Sequence, residues 1–335
     1  MKWCEAARDI LVVLFLVACF PVNSQAEVAH GKDGDVNVFE HITVHSFVRD
    51  VLEHPAFAGF SRLLLPKAWG SLDGGMPLTD ISSLLPYHSH VRVETTVDVL
   101  NAMIDEVTGG LTIFYSFYSE QQKVEDPAKN DTGLFFFKGT PNASFAIVCP
   151  GGGFSYVGSI HEGFPLALEL SRQGYNAFVL KYRVGSGRYA VEDLAVAMSY
   201  IFKNVESLEV GGADYSLWGG SAGARMVASI GTHGAFAFCG ENLPNPAAII
   251  MAYTGHSEFS KTDPPTFVVV GADDPIVNVA TVERRVNAMR SAGIDVEYHR
   301  YQQTSHGFGL GIGTDAEGWI EDAIRFWEKQ ISKHH

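Results

Sequence analysis

The stretch Leu217-Trp218-Gly219-Gly220-Ser221-Ala222-Gly223-Ala224 constrains this chain more than any other. It reads G-x-S-x-G across Gly219, Ser221 and Gly223. It follows the apolar run 215–218 and precedes a helix-like run over 224–230. A serine on a sharp strand-to-helix turn has its hydroxyl thrust out at the carboxyl edge of a sheet. Only small neighbours permit so tight a turn, which gives Gly219 and Gly223 a steric reason to be there. Taken alone, the pattern is also that of a Gly/Ser turn without chemistry, so its meaning depends on partners elsewhere in the chain.

Those partners sit in a regular frame. From residue 111 onward, strand and helix signals alternate. Strands are expected over 111–118, 133–137, 145–148, 177–182, 247–252, 266–270 and 296–301. Helices are expected over 165–172, 191–202, 282–289 and 319–331. This alternation predicts an α/β chain with a doubly wound, mainly parallel sheet over 111–335. Residues 27–110 lack it and read as an N-terminal extension packed on that domain. Its clearest helix covers 97–107, with Val97, Leu100, Ile104 and Val107 on one face. Phe57, Phe60, Trp69 and Tyr87 make the extension the one candidate lid. The link between the strands at 247–252 and 266–270 is too short to hold a cap.

A serine hydroxyl becomes a strong nucleophile when a base takes its proton, and that base is commonly a histidine held by a carboxylate. The chain supplies them in the order Ser, Asp, His. The acid candidate is Asp274, in Gly271-Ala272-Asp273-Asp274-Pro275, just past a strand; Asp273 is its rival. The bland reading of the pair is a capped turn. The base candidate is His306, in Ser305-His306-Gly307-Phe308-Gly309, after the last strand. A developing oxyanion needs preorganised backbone N–H groups. Cys149-Pro150-Gly151-Gly152-Gly153-Phe154 follows a strand, and its glycines let the backbone approach a substrate closely. Donors are expected from Gly152 or Gly153, and from Ala222, the residue after the serine. Phe154 and Tyr156 are expected to wall the substrate site. The loop matches neither the dinucleotide-binding nor the P-loop pattern.

Together these motifs, with His161-Glu162-Gly163 and Leu180-Lys181-Tyr182-Arg183, resemble the α/β-hydrolase superfamily. Within it the chain is similar to bacterial acetyl-esterase and feruloyl-esterase-like serine hydrolases, from residue 145 to the end. The resemblance implies a Ser221–His306–Asp274 triad acting on carboxylic esters without metal or organic cofactor. It points to acylated plant polysaccharide, while the missing cap and a shallow site walled by the Gly-rich loop, Phe154 and Tyr156 predict acetyl or other short acyl groups. The chain departs from many esterases at Cys149-Pro150, where a histidine commonly precedes the glycines, and this leaves the substrate subclass open. A peptidase or amidase on the same fold is the main rival, and a feruloyl esterase is another. A binding module on a hydrolase scaffold is the third, which a missing triad member would favour.

Composition narrows the partners. The formal charge of −14 and the absence of any Lys/Arg run argue against nucleic acid, which needs a basic face. With 46% hydrophobic and 19% charged residues, the chain can bury a large core. Residues 1–26 read as a signal peptide. The apolar run 10–20 is too short for an ordinary membrane span, Lys2 and Arg8 precede it, and Ser24-Gln25-Ala26 offers a cleavage site. Leu16-Val17-Ala18-Cys19 reads alternatively as a lipobox, with a lipid anchor at Cys19 as the one membrane contact. Either reading places the mature chain outside the cytoplasm, secreted or periplasmic. Cys149 and Cys239 would then remain, and two buried thiols are expected rather than a disulfide. His88-Ser89-His90, and His41 with His45, have spacings a metal could use, but no carboxylate or cysteine cluster joins them. They are expected to pack or face solvent. His161-Glu162 has two readings, a wall of the site or a helix entry.

Overall fold

The computed structural model describes residues 38–66 and 72–334. The leader, Cys4, Cys19 and Trp69 lie outside the described residues. From residue 114 onward the chain lays down eight strands: β1 (Phe114–Tyr115), β2 (Gly133–Phe137), β3 (Ser144–Cys149), β4 (Asn176–Lys181), β5 (Gly211–Gly220), β6 (Ala248–Ala252), β7 (Thr266–Gly271) and β8 (Val296–Tyr301). They form one sheet in the order β1-β2-β4-β3-β5-β6-β7-β8. β2 runs antiparallel to both β1 and β4, and every other pairing is parallel. The expected doubly wound α/β architecture is therefore present.

The inner strands are almost uniformly apolar because helices cover both faces of a parallel sheet. Along β3, Ala146 and Val148 face one core, while Phe145, Ile147 and Cys149 face the other. The first core is closed by α4 (Phe164–Arg172) and α9 (Trp319–His334), whose Trp319 and Trp327 are fully buried. The second is closed by α5 (Gly187–Lys203), α7 (Ala222–His233) and α8 (Val279–Ser291), while α3 (Glu120–Glu125) and α6 (Val205–Leu208) are short. Pro165 stands in the first turn of α4, where its missing N–H costs nothing.

Residues 39–110 enter the first core directly. Val48 and Val51 of α1 (Val48–Leu52) join it, as do Phe57, Leu63, Leu64, Leu65 and Ile81. In α2 (Val93–Thr108) the buried stripe is Thr96, Val99, Leu100, Met103 and Ile104. Val97 and Val107 are only half-buried, so the stripe lies one position round from the expected face. Burying a side chain such as Leu100 is worth about 1.5–3 kcal/mol. The extension thus shares a core with the sheet, and Phe57 is inside it. Among the described residues, no helix is long and apolar enough to cross a membrane.

Two expectations are corrected. The strand expected over 111–118 is reduced to β1, two residues paired only with β2. An edge position gives a backbone one neighbour, and Phe117 and Tyr118 instead turn inward to the core. Cys149 and Cys239 are not joined by a disulfide, as expected, but only Cys149 is buried, and Cys239 lies at the surface. Burial pushes the Cys149 thiol far above its ordinary range.

Candidate active site

β5 is flanked by β3 and β6, so its carboxyl end meets the loops that leave both neighbours. Gly219 is paired with Cys149, and Gly220 with Ala252. Between β5 and α7, Ser221 adopts φ 49° and ψ −110°. A non-glycine residue held there stores about 1–3 kcal/mol of strain, which its surroundings must fix. The Ser221 N–H donates to the Ala252 carbonyl at 2.9 Å. A Cβ on Gly223 would overlap the Cys149 carbonyl, and one on Gly219 would overlap the Gly223 backbone. Both glycines are where the turn demands them.

His306 Nε2 lies 2.9 Å from Ser221 Oγ, and His306 Nδ1 lies 2.7 Å from Asp274 Oδ2. The structure therefore brings the three expected residues into one hydrogen-bonded series from three separate loops. Asp274, not the exposed Asp273, reaches the imidazole, and its side chain is fully buried. The other carboxylate oxygen accepts the N–H groups of Ile276 and Val277, both at 2.8 Å. The turn-capping reading and the histidine-orienting one are thus both present in one residue. His306 is 4% exposed, while the half-exposed Ser221 faces solvent.

The Pro150–Gly153 loop lies beside the serine. Its Gly152 carbonyl turns inward and accepts from Ser155 and Tyr156 at 2.9 and 3.3 Å. Tyr182 supports the loop from below by donating its hydroxyl to the Pro150 carbonyl at 2.7 Å. Ala222 opens α7, so its N–H has no acceptor within the helix. The helix dipole also favours negative charge at that end. Gly153 lies under the ring of Tyr87, which is 39% exposed and stacked on Tyr156.

Phe154 is half-exposed at φ 58° and leans towards Tyr182. Tyr156, by contrast, is 1% exposed. Its hydroxyl accepts the Tyr87 N–H at 3.1 Å and lies 2.9 Å from His88 Nδ1. Its expected contact with substrate is corrected to a place behind the loop. Tyr87, from the extension, is an exposed aromatic that touches Gly153.

His88 also departs from expectation, since it neither faces solvent nor merely packs. Its Nε2 lies 2.9 Å from Glu162 Oε1, with both side chains nearly fully buried. Glu162 sits in a π-helical turn, Ser159–Gly163, before α4. It accepts the Gly151 N–H and the Tyr253 hydroxyl as well. Burial would raise the Glu162 carboxyl, but His88, Tyr253 and His161 outweigh it and bring it down to about 2. Burial, reinforced by His88, pushes the His161 imidazole down to about 4 against the pull of Glu162. Of the two readings of His161-Glu162, the turn matches the helix entry into α4, and both side chains are buried rather than lining the site. Nothing in the sequence flagged Tyr253, whose ring lies 5.2 Å from that of His306. Among the described residues, no group of three or more His, Cys, Asp or Glu is arranged to hold a metal ion.

The chain is similar to several known proteins. A model of the prolyl oligopeptidase family matches residues 240–334, the part that carries Asp274 and His306. An acetylxylan esterase of Xylanibacter ruminicola is 25% identical over 227 residues, 58% of this chain and 47% of that protein. Endo-1,4-beta-xylanase B of Butyrivibrio fibrisolvens is 26% identical over 216 residues, 52% of this chain and 34% of that protein. The chain thus spans half or less of the length of these curated relatives. Among solved structures, an acetyl ester-xyloside bifunctional hydrolase from Caldicellulosiruptor lactoaceticus superposes with a TM-score of 0.57 at 22% identity, covering 64% of this chain and 95% of that one. A thermophilic esterase from Thermogutta terrifontis with propionate bound gives 0.53 at 19% identity, covering 64% and 93%.

Proposed function

We propose that this chain, an α/β-hydrolase, is a serine carboxylic-ester hydrolase for short acyl groups, acetyl above all, carried on carbohydrate outside the cytoplasm. One observation carries the chemistry: the unbroken series Ser221–His306–Asp274 at a strained turn. Ser221 Oγ attacks the ester carbonyl while His306 Nε2 takes its proton. Asp274 holds the imidazole with its second nitrogen turned away from the serine. The N–H of Ala222 and that of Gly152 or Gly153 receive the oxyanion. As the intermediate collapses, His306 returns the proton to the leaving alcohol. A water then repeats the sequence on the acyl-enzyme and frees the acid.

Support for an acylated carbohydrate comes from the names of the two relatives and of one superposed hydrolase. Support for a short acyl group comes from the fold. The 253–265 link between β6 and β7 carries no helix, so no cap is built there. A peptidase remains the second reading because of the match to the prolyl oligopeptidase family. The test is kcat/KM on acetylated xylan, a feruloyl ester and a dipeptide amide. Acetyl turnover well above the other two supports the proposal, and amide turnover above both esters replaces it with the second reading.

A further inference from the structure

Glu162 and His88 are buried polar groups beside the glycine loop that the proposed chemistry leaves unused. Glu162 is wedged between the glycine loop and the serine turn. A Cβ on Gly151 would stand 2.6 Å from Glu162 Oε1 and 2.9 Å from the Ser221 Cβ. A Cβ on Gly220 would overlap Glu162 Oε2. Glu162 is 4% exposed, with donors on both oxygens. Gly151 and His88 reach Oε1, and Tyr253 reaches Oε2. Three of its roughly four lone-pair sites are therefore taken by protein donors.

The connections continue outward. One assignment satisfies every group. The Tyr156 hydroxyl donates to His88 Nδ1 and accepts the Tyr87 N–H, and His88 Nε2–H donates to Glu162. Tyr156 is tied to the glycine loop through its own N–H on the Gly152 carbonyl. The next residue, Ser89, binds the base loop. Its N–H donates to the Gly307 carbonyl at 3.1 Å and its hydroxyl to the His306 carbonyl at 2.7 Å. His161 donates Nε2–H to the same Gly307 carbonyl at 3.0 Å. Three consecutive residues of the extension therefore touch both the glycine loop and the loop that carries His306.

We infer that the His88–Glu162 pair is a positioning device: it pins the Gly151 amide, and through it the oxyanion donors, in register with Ser221, and so makes residues 87–89 an integral part of the active site. This rests on the proposed ester chemistry. Because Gly151 N–H is held by Glu162, the loop cannot turn that donor towards the substrate, and the donors left for the oxyanion are those of Gly152 or Gly153. A fixed donor is worth most in the transition state, where charge appears on the oxygen. Loss of the pin should therefore reduce kcat and leave KM nearly untouched.

The experiment measures kcat, KM and the rate at which a fluorophosphonate labels Ser221, for wild type, His88→Ala, His88→Gln, Glu162→Gln and Tyr253→Phe, with circular dichroism on each. His88→Ala should lose about a hundredfold in kcat, the scale of one misplaced oxyanion donor, with KM within about threefold. Labelling should slow in parallel. His88→Gln, which restores a donor to Glu162, should recover a substantial part of both. Glu162→Gln has one acceptor oxygen for three donors and should behave like His88→Ala. If His88→Ala fails to fold, Tyr253→Phe, which removes one donor, decides by the same kcat-against-KM split. Unchanged kcat and labelling in folded variants would overturn the inference, as would a loss confined to KM. A wild type that neither labels at Ser221 nor turns over an ester would instead remove the functional reading on which it rests.

Discussion

Asp274 divides its carboxylate between His306 and its own turn: Oδ2 stands 2.7 Å from His306 Nδ1, while Oδ1 accepts two backbone N–H groups at 2.8 Å. The turn therefore fixes the carboxylate, and the carboxylate fixes the ring. Asp274→Asn should keep the turn but offer His306 an N–H where it needs an acceptor. Turnover should fall by about ten-thousandfold, as expected when a triad imidazole is held in the wrong tautomer. Asp273→Asn, altering an exposed side chain, should stay within about twofold. Matched kinetics on one acetyl ester check the ranking, and the reverse order would move the acid to Asp273.

Gly223→Ala should be far costlier than an ordinary helix substitution. Its Cβ would overlap the Cys149 carbonyl on β3, which is backbone and has nowhere to go. A loss of about 3 kcal/mol or more is expected. Urea unfolding measures it, and a loss below about 1 kcal/mol would show that β3 and α7 can part.

Acid should destabilise the fold in two steps. The His161 imidazole is lowered to about 4 from an ordinary 6.5. Between those values the unfolded chain takes a proton that the folded one refuses. Its contribution is full above 6.5 and is lost as pH falls towards 4, roughly 3 kcal/mol in all. Glu162, lowered to about 2 from 4.5, adds a second loss below 4.5. Unfolding free energy from pH 7 to 4.5 should fall less steeply in His161→Gln than in wild type. Parallel curves would contradict the assignment.

Acyl length gives a fourth test. With no cap between β6 and β7, added methylenes stay in water and forgo about 0.8 kcal/mol each. kcat/KM on nitrophenyl esters should peak at acetyl to butyryl. An optimum at long chains would mean that the extension encloses an acyl channel.

Most of the sheet was legible because strands buried on both faces read as apolar runs, as at 145–148 and 266–270. β1 was overread because an edge strand and a buried aromatic loop share the same residues. Ser221, Asp274 and His306 stood out because each lies in a short Gly-bearing motif just past a strand. Glu162 and His88 lie in short patterns that carry no sign of their pairing, and Tyr253 has no local signature at all. They are separated by 74 and 91 residues, and only tertiary packing of the extension brings them together. Tyr156 misled for the same reason: an aromatic near the glycines reads as a wall until its hydroxyl is seen to be taken.

If Ser221 is the nucleophile of an ester hydrolase, acetate release from acetylated xylan should separate wild type from Ser221→Ala. The wild type should release acetate, and Ser221→Ala should lose at least about a thousandfold in rate with its circular dichroism and Tm unchanged. A folded Ser221→Ala that keeps its activity within tenfold of wild type would contradict that role.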